Sequence, residues 1–426
     1  MIYPSVNNIS KFFLLSLLVV APFLTVLTSK FGFINPLLGK LLGGYKEISQ
    51  VFIISVLFIG VIKNKRLSFN YYSTLLFFFA FYAILHVIGQ VNLGLMFDGA
   101  RYQLGYLVIF TLICIIPHAQ ERASINVDLL AKIVFIQTLI AVVVGVVEFF
   151  NPSIIGFLYG IDKDMMEHVT LAAGFRLISV FGNPINFGGF LCVGLAASYY
   201  LAVKKTKPLV WLAFWVYWIV LVFLVFFTLS RLALIAFFAQ TILILMFNLF
   251  RREIVTKVFF ITFLLVLMPF VFELLNSFDS LYERFFKLLS LETYTDNARV
   301  NNWFGALDNL HYFTNWLWGF GVGASNPALG SGGYMIENGF VSILIDFGLI
   351  GLTFYVAIWL LSFFIMFTIR KKLNNEFYFI FLFLVCFMLM SFGNDYNRNF
   401  PFVIYFWLVV SYLFTRANKY KGYQEC

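Results

Sequence analysis

Apolar runs of about twenty residues recur from one end of this chain to the other, and that spacing leaves few folds open. A helix of that length crosses a hydrocarbon core of roughly 30 Å. The runs fall at 12–29, 48–62, 71–90, 104–117, 128–149, 179–202, 208–226, 232–249, 257–273, 338–369, 377–392 and 400–415. They are continuous rather than alternating, which argues against a membrane β-barrel and for helices that satisfy their own backbone. The expected fold class is all-α, a polytopic transmembrane bundle of about twelve spans forming a single membrane domain over 1–426. The first run lacks a small-x-small cleavage site and reads as an anchor rather than a signal peptide. The run at 338–369 exceeds one upright span, so it is tilted, kinked near Gly348 and Gly351, or extended past the membrane.

Composition agrees with this reading. Only 12% of the 426 residues are charged and 62% are hydrophobic, whereas a soluble domain carries about 25% charged residues. Such a chain cannot cover itself with a polar surface. The basic groups Lys63, Lys65 and Arg66, then Arg122, then Lys204, Lys205 and Lys207 lie on alternate connections. The same holds for Arg251, Arg252 and Lys257, for Arg370, Lys371 and Lys372, and for Arg416, Lys419 and Lys421. By the positive-inside rule those connections and both termini are cytoplasmic. The acids Asp98, Asp162, Asp164, Glu167, Asp279, Glu283, Glu292, Asp296, Asp308, Glu337 and Asp395 fall on the other side. The net charge of +9 is thus a topology signal and not a nucleic-acid footprint. The four cysteines contain no CxxC, the four histidines show no ligand spacing, and no phosphate-binding glycine motif occurs. No metal, cofactor or nucleic-acid partner is therefore expected.

Two outer connections are long, at about 150–178 and 274–337, and a connection of some 60 residues has structure or a function of its own. In the second, Phe278, Leu281, Phe285 and Leu288 recur at helical spacing, which suits an interfacial helix. Thr295 or Asp296 can cap a second helix that presents Arg299, Asn302, Trp303 and Ala306 on one side. The stretch "GFGVGASNPALGSGG" (319–333) follows, either a backbone nest for an anion or a turn that returns the chain to the membrane.

Polar residues gather on this outer face. Arg101, Arg176 and Arg231 stand at the outer ends of spans, where the charge rule would remove them. Each alone reads as a snorkelling anchor. Together with Arg299 they supply four guanidinium forks, the geometry that binds phosphate. Trp303, Tyr396 and Asn338 offer aromatic faces and an amide suited to sugars, with the interfacial aromatic belt as the plainer account of the rings. Glu337, at the mouth of the long run, is the candidate general base; a helix-start carboxylate favoured by the macrodipole is the alternative.

Five stretches, "FRLISVFGNPINFGGF", "LSRLALIAF", "ARVNNWFGAL", "GFGVGAS" and "ENGFVSILIDFGLIGL", come in an order that resembles bacterial O-antigen polymerases and O-antigen ligases. The resemblance spans roughly residues 100–415. It implies a GT-C-like glycosyltransferase of the bacterial inner membrane, acting at the periplasmic face on undecaprenyl-diphosphate-linked oligosaccharides. The family arginines that hold the diphosphate would be Arg176, Arg231 and Arg299. Ligases carry a histidine before the asparagine of the last motif; here it is Glu337, which favours a polymerase of O-antigen, capsule or exopolysaccharide repeats. A chain-length regulator is a possible partner, beside membrane lipids. A lipid-linked oligosaccharide flippase is the reading from another class, since it shares the span count and the diphosphate ligand.

The topology is directly testable. Cysteines placed at 65 and 206 are expected to react with an impermeant reagent only after the membrane is opened, and cysteines at 290 and 328 to react in intact spheroplasts. Labelling of position 290 from the cytoplasmic side alone would overturn the orientation.

Overall fold

The structure, a computed structural model, describes residues 3–64, 67, 69, 71–116, 126–160, 176–205, 207–249, 298–326 and 336–421. Among the described residues it is helical throughout, with no strand. Among these described residues eight helices are long and apolar enough to cross a membrane, and Glu376–Ser391 and Phe402–Ala417 are shorter apolar helices. The expected span at 257–273, the interfacial helix at 278–288, most of the connection at 274–337 and the labelling positions 65, 206, 290 and 328 lie outside the described residues.

The N-terminal part comprises α1 (Tyr3–Val20), α2 (Leu24–Ile34), α3 (Pro36–Gly43) and α4 (Tyr45–Asn64). The expected spans 12–29 and 48–62 lie within longer helical stretches here. α5 (Tyr71–Ile88) follows, then α6 (Leu93–Gly99), a π-turn (Ala100–Leu104) and α7 (Gly105–Ile115) in one continuous helical run. The expected span at 104–117 is thus the inner part of a longer element that begins at Leu93. α8 (Val127–Phe150) and the short α9 (Ser153–Tyr159) precede the central helices α10 (Pro184–Val203), α11 (Pro208–Phe227) and α12 (Arg231–Leu249). After α13 (Ala298–Asp308) and α14 (Phe313–Trp318) come α15 (Gly339–Thr368), α16 (Arg370–Leu373), α17 (Glu376–Ser391) and α18 (Phe402–Lys421).

α10 is the hub. Its residues from Phe187 to Leu195 are all buried, and it packs on α8, α11, α12 and α17. A span enclosed on every side needs close neighbours, and Gly188, Gly189 and Gly194 admit Thr228, Tyr396 and Thr138. α10 begins at Pro184 rather than 179 because residues 176–178 are irregular and a short 3₁₀ segment at Ser179–Phe181 turns the chain at Gly182.

Of the three alternatives for the long run, the structure shows the kink. Gly348 has φ 65° and ψ −169°, so α15 is two helices merged across a kink. The break leaves the carbonyls of Ile345 and Asp346 without intrahelical donors, and Phe320 N and Gly321 N donate to them at 2.8 and 3.0 Å. The glycine-rich turn therefore seals a gap in a membrane helix. Gly319, Gly321 and Gly323, with φ of 76°, 95° and 82°, supply the left-handed backbone that the seal needs.

Alanine at 348 would meet the Leu317 carbonyl and the Gly319 amide in a conformation almost reserved for glycine. Gly348→Ala is expected to destabilise the protein by about 3 kcal/mol or more. Gly60→Ala, where an added Cβ meets nothing within 4 Å, is expected to be neutral or to stabilise by about 0.5–1 kcal/mol. Thermal unfolding in detergent compares them, and equal melting temperatures would show that the break tolerates a side chain.

Candidate functional site

Side-chain contacts sort the bundle into two ends. At one, Lys204 pairs with Asp128 at 2.6 Å, Arg370 lies over Phe377 and Arg416 over Tyr412. The other end holds the described candidate residues, and we call it the site end.

There Arg176 is fixed by its backbone neighbours. Its Nε donates to Thr228 O at 3.0 Å, and Leu177 N donates to Phe227 O at 3.1 Å. The next two amides, Ile178 N and Ser179 N, donate to the buried Glu148 carboxylate at 3.0 and 2.7 Å. Ser179, at φ 48°, donates its hydroxyl to Ala141 O at 2.7 Å. Glu148, a buried carboxylate near the site end of α8, thus sets the segment that delivers Arg176. Thr228 leads through Leu229, at φ 51°, to Arg231, the exposed first residue of α12. The fold brings Arg176 and Arg231 to one place by this short path.

The stretch Phe392–Asn399, "FGNDYNRN", joins that place to α15. Asn338 caps α15, its Oδ1 accepting Phe340 N and Val341 N, while its Nδ2 donates to Phe392 O at 3.2 Å. Asn397 Nδ2 donates to Gly339 O at 2.8 Å, and Tyr355 donates its hydroxyl to Asn397. Asn394 Nδ2 donates to Asn186 Oδ1 at 3.2 Å, and the Tyr396 hydroxyl donates to Ile185 O at 3.1 Å. Asn183 caps α10 by accepting Ile185 N at 2.8 Å. The N-termini of α10, α12 and α15 therefore border one stretch of chain, and each carries the positive end of a helix dipole. Glu337 is half-buried one residue before the α15 cap.

The remaining candidates are placed differently. Arg101 pairs with Glu47 and lies over the Tyr102 ring at 4.8 Å. Trp303 is half-buried on α13, its indole N–H enclosed and without a hydrogen-bond partner among the described residues. Arg299 is on the same helix, with only its backbone described. Asn338 and Tyr396, read as sugar contacts, hydrogen-bond within the protein, Asn338 to the α15 start and to Phe392 O after α17, and Tyr396 to the α10 start. In the described half of the glycine-rich stretch, the Ser325 amide donates to a carboxylate of the protein itself, Asp346, at 2.6 Å.

A group not anticipated as a site lies beside these residues. Arg398 pairs with Asp98 and donates to Ser325 Oγ at 2.6 Å. Ser325 Oγ donates to Asp346 Oδ2 at 3.0 Å, and Gln103 Nε2 donates to the same oxygen at 2.5 Å. Ser342 Oγ contacts both Ser325 Oγ, at 2.8 Å, and Asp395 Oδ2, at 2.5 Å. The chain Asp346–Ser325–Ser342–Asp395 has three oxygen–oxygen contacts and two hydroxyl hydrogens. A proton on the carboxyl at the Asp395 end would supply the third. Burial pushes the Asp395 carboxyl up from 3.8 to about 7, against the opposing effect of Arg398. Arg398 was legible in principle: a cation on an acidic loop violates the charge rule as Arg176 does. Among the described residues, no group of three or more His, Cys, Asp or Glu is arranged to hold a metal ion.

No protein-family model matches the chain, and no curated protein matches it.

The raised pKa fixes the sign of a pH effect. A carboxyl that binds its proton more tightly when folded adds stability that is fully present below about pH 4 and is lost as pH climbs to about 7. Melting temperature is expected to fall from pH 5 to pH 8. Asp395→Asn, whose amide donates to Ser342 at every pH, is expected to flatten that fall and to exceed wild type at pH 8. A wild-type slope retained in Asp395→Asn would assign the titration elsewhere.

Proposed function

We propose that this protein is an inner-membrane polymerase of O-antigen, capsule or exopolysaccharide repeats. It transfers an undecaprenyl-diphosphate-linked oligosaccharide to the sugar end of a second lipid-linked repeat, at the periplasmic face, with inversion. The reading includes about twelve spans in a GT-C-like arrangement and a long periplasmic connection before α15. The observation that carries it is the meeting of Arg176, Arg231 and three helix N-termini at one end of the bundle, with Glu337 beside the α15 cap.

The chemistry follows from those groups. The bond from C1 to the diphosphate breaks as the acceptor hydroxyl attacks, so negative charge grows on the leaving phosphate. Guanidinium forks and helix N-termini stabilise that charge without a nucleotide. Glu337 takes the hydroxyl proton as the new bond forms. A glutamate where the ligase-like relatives carry histidine favours chain extension over transfer to a lipid core. The flippase reading draws support from one feature, the break at Gly348 beside buried Asp346, because transporters place broken helices and charges within the membrane.

Purified protein supplied with lipid-linked repeat separates the readings. Polymer ladders are expected from wild type, and transbilayer movement without polymer would favour the flippase. Lysine at Arg176 or Arg231 keeps the charge and loses the fork, which is expected to cost about tenfold to a hundredfold in rate. Glu337→Gln is expected to fold, to bind substrate and to lose roughly a hundredfold to ten-thousandfold in turnover. Wild-type turnover in Glu337→Gln would remove that residue from the chemistry.

A further inference from the structure

The opposite end of the bundle holds a half-open cavity of about 430 Å³ between the start of α8, the end of α10 and the start of α11. Cavities of roughly 300–1,000 Å³ hold drug-sized ligands. Lys132, Lys204 and Lys205 stand at its mouth, where Asp128 fixes two of them, Lys132 at 2.8 Å and Lys204 at 2.6 Å. Three lysines against one carboxylate leave the mouth positive. Farther in, the walls turn apolar and include Phe135 and Tyr217, whose rings lie 5.6 Å apart. The Tyr217 hydroxyl is buried, and among the described residues no hydrogen-bond partner meets it.

The register of these groups is informative. Phe135 follows Lys132 by three residues on α8, which places it about 4.5 Å deeper along the helix axis. Tyr217 meets Phe135, so an unsatisfied donor lies about one helical turn below the cations. From Asp128 to Phe135 the cavity descends about 10 Å, less than the half-thickness of about 15 Å of a hydrocarbon core. A ligand that fits carries an anion at the surface, a hydrogen-bond acceptor one turn deeper and a hydrocarbon body below. A glycerophospholipid has these three in that order: phosphodiester, ester carbonyl, acyl chain. Free phosphate and nucleotides lack the apolar body, and a zwitterionic headgroup forgoes part of the attraction by adding its own cation.

We infer that this cavity binds an anionic glycerophospholipid of the adjacent leaflet, with its phosphate on Lys132, Lys204 and Lys205 and an ester carbonyl accepting from Tyr217. Binding supplies the partner that the buried hydroxyl lacks. It also holds the ends of α8, α10 and α11 together, away from the site end.

Native mass spectrometry and thermal unfolding of the full chain in detergent test this with four additives: ester-linked phosphatidylglycerol, its ether-linked analogue, ester-linked phosphatidylcholine and inorganic phosphate. Ester-linked phosphatidylglycerol is expected to bind about tenfold or more tighter than phosphatidylcholine, the scale of one charge-assisted hydrogen bond. Lys205→Gln is expected to shrink that preference, and Tyr217→Phe to erase the preference for ester over ether linkage. Ala213→Phe, which fills the cavity, is expected to abolish retained lipid. Tyr217→Phe keeps shape and volume, so it decides the matter even where Ala213→Phe does not fold. Equal binding of the two ester lipids, an ester preference unchanged in Tyr217→Phe, or full stabilisation by inorganic phosphate would each overturn the assignment.

Discussion

A carboxylate buried beside a break in a membrane helix organises the site end. Asp346 is fully enclosed, and a charge in that position is costly unless it is met by donors. Ser325 meets it through both amide and hydroxyl, and Gln103 through its side-chain amide. Those bonds draw the glycine-rich turn onto the break at the point where the Asp346 and Ile345 carbonyls need donors. From Ser325 the network passes to Arg398 and Asp98 on one side and to Ser342 and Asp395 on the other. Three stretches far apart in sequence, 98–104, 319–326 and 392–399, thus share one anchor.

The same logic explains why a helix is broken here at all. An uninterrupted α15 would satisfy its own backbone and leave the 319–326 turn with no acceptors in the membrane. With the break, the turn's amides and the helix's carbonyls complete each other, as non-helical backbone at membrane depth requires. His86 Nε2 at 2.7 Å from Trp318 O, and Tyr82 donating to Phe347 O at 2.8 Å, close the rest of the seam from α5.

Arg176 and Glu148 show a second division of labour. The cation that reaches the site end is held by backbone carbonyls and amides, and those amides are in turn held by a carboxylate one helix away. Arg231 opens the neighbouring helix, and the helix starts beside it have amides met by the Asn183 and Asn338 side chains.

Much of this was legible in the residues alone. Spans such as 71–90, 128–149, 208–226 and 232–249 correspond to long apolar helices, because lipid accepts only such segments. A kink near Gly348 was one of three ways to accommodate a run too long for one upright crossing, and the structure shows that one. Glu148 and Gln103 carried no comparable pattern, and Arg398 carried only its exception to the charge rule. Each is a lone polar residue whose meaning lies in a partner 30, 243 or 300 positions away. Sequence by itself determined the solvent of this protein, its helical class and that the run at 338–369 is too long for one upright span, because those depend on local hydropathy and length. Only the tertiary structure decided which polar groups face one another, because in a membrane each must find a partner, and that choice is made by packing between distant helices.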